Sequence, residues 1–321
     1  MFKRLALTIL LLLCGAVAAI AQDWPAKTVK IEVPFGAGST PDIIARIIAE
    51  QLGQQYPASA FIVENKPGAS GNLGTDAVAK AKPDGSVIGI SIGGPLAINT
   101  LLFAKLPYDP KTDIAPITQL VTQPSALAVN PSLKVDSVTA LVALIKANPG
   151  KYNFSSIGNG SLSHLAMEAI AIKAGTKLVH VPYPSSPNAI LAVIRGDTQM
   201  ACLPAISVLP QAKSGAVKML AVSTARRSPY LPDVPTLKES GIDVEADAWN
   251  GLIAPGGTPM AIIDKINKDV VAIIKSPAVR EKLAAQLMEP VGSSPEEFRA
   301  LIDREIARWS AVIKAADIKI N

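Results

Sequence analysis

An α/β fold in two lobes is what the sequence predicts, and three observations predict it. Strand-like and helix-like segments alternate along the 321 residues, the pattern of parallel α/β folding. Two glycine-rich turns, about 120 residues apart, each follow a strand-like stretch and open a helix. The segment Ala248 to Pro255 carries the chain back after an excursion that begins near Gln123. Lobe 1 is therefore expected at residues 22–122 plus 248–321 and lobe 2 at 123–247, with a ligand cleft between them.

The N-terminus decides the compartment. Lys3 and Arg4 precede the apolar run Leu5 to Leu13, and Ala19-Ile20-Ala21 supplies small residues at the usual cleavage spacing. Residues 1–21 read as a signal peptide removed after Ala21, which places the mature chain in the periplasm. No later stretch offers about 20 uninterrupted apolar residues, so no membrane span is expected. Cys14 leaves with the leader, and Leu13 stands where a lipid-modification site carries a small residue. Cys202 is then alone, without a disulfide partner and suited to a buried packing role. Hydrophobic residues make up 49% of the chain, material enough for two domains. The net charge of +5 loses two with Lys3 and Arg4, leaving +3. Lys and Arg are scattered, which argues against a nucleic-acid partner.

The elements follow in order. Val29 to Val33 alternates apolar and polar residues; Thr40 and Pro41 then start a helix whose buried stripe is Ile43, Ile44, Ile47, Ile48 and Leu52. Phe61 to Glu64 is a second strand, followed by a further glycine-rich turn at 65–74 that a tight connection explains as well as a ligand does. Pro83-Asp84-Gly85-Ser86 turns the chain into the strand Val87 to Ile92. In lobe 2, Leu127 to Val129 is strand-like, Ser137 caps a helix through Leu144 and Ile145, and Tyr152 to Ser155 leads into the second turn. Leu178 to Tyr183 and Val217 to Val222 are further strands, and the proline-rich 228–236 is a long loop. The remainder is helical, with Ile262, Ile263, Ile266 and Val270 on one face and Ser294-Pro295-Glu296-Glu297 opening the last helix.

Each turn aims unpaired backbone N–H groups and the positive end of a helix dipole at one spot, so the pair can hold an anion without Lys or Arg. Phe35, Gly36, Ala37, Gly38 and Ser39 form one candidate wall; Ser156, Gly158, Asn159, Gly160 and Ser161 form the other. Asp42 is read as structuring its loop, because a carboxylate facing an anionic solute repels it. His164 either donates to the ligand or ties the loop to the lobe, and Tyr183 closes the side of the cleft. The rival class is an exported hydrolase. Neither turn is a Gly-x-Ser-x-Gly nucleophile elbow, and His164 lies only three residues from Ser161 with no acid to orient it. The first turn has no Lys where a nucleotide-phosphate loop requires one, and two histidines with one mature thiol make no metal cluster. No cofactor is expected.

At the level of motifs, Val33-Pro34-Phe35 with its turn and Asp42, Val63-Glu64-Asn65-Lys66-Pro67-Gly68, Lys82-Pro83-Asp84-Gly85, Asn130-Pro131-Ser132, Ser156-Ile157-Gly158-Asn159-Gly160, His164-Leu165-Ala166, His180-Val181-Pro182-Tyr183, Arg227-Ser228-Pro229, Leu231 to Thr236 and Trp249-Asn250-Gly251 occur in a telling order. Together they resemble the Bug-type substrate-binding proteins of tripartite tricarboxylate transporters over essentially the whole mature chain. The resemblance implies a Venus flytrap receptor of the type II periplasmic-binding-protein fold, a monomer that captures a small carboxylate and contacts membrane permease subunits transiently. A sensory binding protein of the same fold is the alternative. It also implies a carboxylate lying against main-chain N–H groups and waters of the two turns. This chain departs from the family pattern at Ser39, Thr40 and Pro41, at Leu96 where histidine is frequent, at Gln199 where an acid is usual, and at Cys202 where phenylalanine is usual.

Overall fold

The structure, a computed structural model, describes residues 24–319, and the expected leader lies outside them. The chain starts with β1 (Thr28–Val33), crosses by α1 (Thr40–Gln55) to β2 (Ala60–Asn65) and by α2 (Asn72–Ala79) to β3 (Val87–Ile92). A short α3 (Asn99–Leu102) precedes β4 (Ile114–Gln123), and Pro124 alone separates β4 from β5 (Ser125–Val129). There follow α4 (Val138–Ala147), β6 (Asn153–Ser156), α5 (Leu162–Lys173), β7 (Val179–Pro182), α6 (Ser186–Arg195), β8 (Met200–Pro204), α7 (Ala205–Lys213) and β9 (Lys218–Val222). The chain returns through β10 (Ala248–Pro255) and finishes with α8 (Met260–Lys275), α9 (Pro277–Ala284), β11 (Glu289–Pro290) and α10 (Pro295–Ala315).

These strands make two sheets. The first runs β11-β4-β10-β3-β1-β2 and the second β7-β6-β8-β5-β9. Pairing is parallel within β3-β1-β2 and within β7-β6-β8, the parts built by helical crossovers, and antiparallel where the returning strands β10 and β5 join. Both parallel sections end their strands on turns that open helices, which sets the two glycine turns at the carboxyl edges of their sheets.

Helices cover both faces of each sheet. In the first, Ile31, Val33, Ile88, Ile90 and Leu252 pack with Ile44, Ile48 and Leu52 of α1 and Ile263, Ile266 and Val270 of α8. Period-2 alternation sends Leu127 of β5 to Phe154 and Leu165 on one face of the second sheet, and Ala126 and Ala128 to Ile190 and Val193 on the other. Each fully buried aliphatic side chain of this kind stabilises the fold by roughly 1.5–3 kcal/mol. α10 serves both layers. Its Phe298 and Ile302 pack with Trp249 and Ile253 of the first sheet, while Trp309 and Ile313 join the cluster of Phe154 and Leu165.

Between the sheets the main chain crosses at 123–125 and again at 246–248. Ser223 N–H donates to Ser125 O at 2.8 Å and Ala246 N–H to Ser223 O at 2.9 Å, so the two crossings are laced side by side. The hydroxyl of Thr122 donates to the carboxylate of Asp247 across them.

Candidate functional site

The first turn is built from the end of β1. Gly38 has φ +79°, a conformation side chains resist, and it lets the chain double back so that Ser39 N–H reaches Gly36 O at 3.2 Å. Asp42, 2% exposed in the first turn of α1, accepts the Gly38 N–H at 2.8 Å and receives Arg46 at two points, Nε at 3.0 Å and Nη2 at 2.9 Å. Asn65 from the end of β2 joins the same carboxylate to Phe35 O, at 2.9 Å each. Burial pushes the Asp42 carboxyl up, but the bonds from Arg46, Gly38 and Asn65 outweigh it and hold it below its ordinary range. Asp42 thus structures the loop. Among the described residues, the N–H groups of Gly36, Ala37 and Thr40 carry no hydrogen bond. The residue that caps α1 is Ser39; its hydroxyl makes no cap hydrogen bond and is buried without a partner, and Pro41 in the first turn of the helix has no N–H to give it.

The second turn repeats this construction residue for residue. Gly36-Ala37-Gly38-Ser39-Thr40-Pro41-Asp42 corresponds to Gly158-Asn159-Gly160-Ser161-Leu162-Ser163-His164. Gly160 has φ +71°, Ser161 N–H donates to Gly158 O at 3.2 Å, and Gly160 N–H donates to Nδ1 of His164 at 3.1 Å. Of the two roles open to His164, tying the loop is the one its hydrogen bond performs; the side chain is buried behind the turn. Ser161 caps α5 through the His164 N–H. The N–H groups of Asn159, Leu162 and Ser163 carry no hydrogen bond among the described residues; Asn159 and Leu162 match Ala37 and Thr40, whereas Gly158, the counterpart of Gly36, donates to Ser156 Oγ and Ser163 stands where the first turn has Pro41. Tyr183 follows β7 and donates its N–H to Ser156 O at 2.9 Å, which sets it beside this turn.

Sequence reasoning missed His180, Arg46 and Asn65, all of which shape the turns. His180 lies flat on His164, ring centroids 3.7 Å apart, with Phe154 beside the pair, 4.9 Å from His180 and 6.0 Å from His164. Its Nε2 is 2.6 Å from Ser156 Oγ. That serine–histidine contact is the nearest thing to a catalytic pair. Burial, then the neighbouring His164 ring, push His180 down to about 4, which makes it a weak base, and no described carboxylate bonds its ring. Ser156 is itself fully buried, out of reach of a substrate.

Arginines and lysines flanking the first turn and on the loop before β10 are already paired. Arg46 belongs to Asp42, Lys66 to the buried Glu32 at 2.8 Å, Arg226 to Glu289 and Arg227 to Glu239. Arg195 sits in the last turn of α6, at the far end of that helix from its start beside β7. What the two turns offer is main-chain donors at two helix N-termini, a field suited to an anion. The described residues hold no cluster of side chains able to bind a metal, and no helix long and apolar enough to cross a membrane.

Residues 44–318 match the family model described as "Tripartite tricarboxylate transporter family receptor". Protein BugT of Bordetella pertussis is 34% identical over 310 residues, covering 96% of this chain and 95% of the relative. Among solved structures, an R. palustris protein with adipate superposes with a TM-score of 0.80 at 34% identity, covering 92% of this chain and 99% of the other. MatC of Rhodopseudomonas palustris with bound malate gives 0.75 at 28% identity, covering 90% and 100%. The fold is the two-lobe α/β fold of these periplasmic binding proteins.

Proposed function

The chain belongs to the tripartite tricarboxylate transporter receptor family, and from that premise we propose that it captures a small carboxylate between its lobes and delivers it unchanged to a membrane permease. The observation that carries this reading is the repeated turn, with Gly36, Ala37 and Thr40 after β1 of the first sheet and Asn159, Leu162 and Ser163 after β6 of the second presenting unbonded N–H groups. A hydrogen bond from such a donor to a charged oxygen is worth roughly 1.5–3 kcal/mol before the cost of association. Phe35 to Ser39 and Ser156 to Ser161 form the walls, with Tyr183 at the side. Relatives solved with adipate and malate support a carboxylate as the solute class. The lobes, 22–122 with 248–321 and 123–247, close about the paired crossings at 123–125 and 246–248. The protein acts as a periplasmic monomer after loss of residues 1–21.

Mass spectrometry of compounds released from the purified protein, followed by calorimetry with the released compound, tests the proposal. One carboxylic acid, rebinding at one per chain and recovered intact, is the expected result. Conversion of that compound, or retention of a cation or neutral solute instead, would overturn it.

A further inference from the structure

We propose that His164 and His180 form a stacked latch that holds the second turn in its binding shape, and that acid opens it; the functional half of this rests on the carboxylate reading above. Each imidazole pins one glycine of the turn. His164 accepts the Gly160 N–H directly at Nδ1, 3.1 Å away. His180 pins Gly158 through Ser156, whose hydroxyl oxygen lies 2.6 Å from His180 Nε2 and accepts the Gly158 N–H at 3.1 Å. The rings are 9° from parallel, and Phe154 packs at their side, 4.9 Å from His180 and 6.0 Å from His164. With both glycine amides drawn inward, the amides of Asn159, Leu162 and Ser163 are the ones left over.

A ring nitrogen that accepts a hydrogen bond carries no proton. Protonating His164 sets a second N–H against the Gly160 N–H and breaks the bond that shapes the turn. In the first turn the same post is filled by Asp42, an acceptor whose carboxyl is held below its ordinary range, so acid spares that turn until far lower pH. The charged group facing the pair is Glu168 of α5, its Oε1 3.7 Å from His164 Nε2. β6 contributes Phe154 and Ser156, β7 has no titratable residue besides His180, and α10 packs Trp309 and Ile313 nearby while its Arg308 is bound to Glu305 and Glu245. Burial, then the neighbouring His164 ring, push His180 down to about 4; the acid response is assigned to His164 because its Nδ1 is the ring nitrogen that takes the Gly160 N–H.

The test combines calorimetry of adipate with nuclear magnetic resonance of the Gly160 amide, both from pH 8 to pH 5.5, in wild type, His164→Asn and His180→Phe. Asparagine places an oxygen near the Nδ1 position that cannot take up a proton. Wild type should lose about tenfold or more in adipate affinity toward acid, with the Gly160 amide shifting and exchanging faster over the same range. His164→Asn should be a few-fold weaker at pH 8 and flat below it. His180→Phe, which keeps the stack and loses the Ser156 bond, should bind more weakly at every pH and retain the acid response. A flat wild-type profile with an unmoved amide, or an unaltered acid loss in His164→Asn, overturns the latch. Should adipate fail to bind while the amide moves in wild type and not in His164→Asn, the latch stands and the carboxylate reading falls.

Discussion

Asp42 and His164 hold the same post in two turns that share no lobe: each accepts the N–H of the glycine four residues before it, Gly38 at 2.8 Å and Gly160 at 3.1 Å. The chemistry of the acceptor differs, and so does its consequence. The Asp42 carboxyl is lowered in the fold, so its contribution to stability is fully present above the unfolded carboxylate range and is lost as pH falls through the lower folded value. Asp42→Ala leaves the Gly38 N–H and the Arg46 guanidinium without their acceptor, at a cost of about 1–3 kcal/mol. Urea denaturation at pH 7 and pH 3 should show that cost at the higher pH and a much smaller one at the lower.

A second acid sits at the crossings and has the opposite sign. Burial, partly offset by the Thr122 bond, pushes Asp247 up to about 6, with Glu245 and Glu305 adding to the rise. A folded pKa above the unfolded one means that stability is greatest below the unfolded value and falls as pH rises through about 6. Asp247→Asn removes the half-buried charge and keeps an acceptor for Thr122. It should raise stability on the order of 2 kcal/mol at pH 8 and change it little at pH 4. A variant no more stable than wild type at pH 8 would show that the carboxylate is not strained there.

Packing gives a sharper prediction at Gly251 in β10. A Cβ placed there would lie 1.9 Å from the Phe298 ring, whose own position is fixed between Trp249 and Ile302. Gly251→Ala should therefore lower thermal stability through overpacking, by about 1–3 kcal/mol or more. At Gly36 the φ is not positive and nothing lies within 4 Å of an added Cβ. Gly36→Ala should leave the melting temperature within a degree or two of wild type, as differential scanning calorimetry would show.

The turns and the helices they open were legible because their signals are local. A glycine with φ above +70° at Gly38 and Gly160, and apolar residues at helical spacing after each, are written within a dozen residues of chain. The contact between Asp42 and Gly38 is local in the same way, since Asp42 sits one helical turn from its donor. Other features depend on partners brought from afar. His180 reads as an ordinary strand residue until β7 lands beside β6 and its ring is laid on His164. The long β4 escaped notice because its apolar pattern is broken by Pro116, Thr118 and Gln119 and becomes a strand through pairing with β10. That α10 reaches the second sheet through Trp309 follows from tertiary packing alone.

Main-chain donors, rather than side-chain cations, are proposed to hold the ligand's charge. Ala37→Pro removes one unbonded N–H from the first turn and no charge, whereas Arg226→Gln and Arg227→Gln remove cations of the second lobe that are already paired. Calorimetric titration of a dicarboxylate series, adipate and malate included, into these three variants and wild type decides the matter. Ala37→Pro should lose tenfold or more in affinity, about 1.4 kcal/mol or above, and either arginine change less than tenfold. A hundredfold loss on removing either arginine, with Ala37→Pro folded and binding as wild type does, would contradict it.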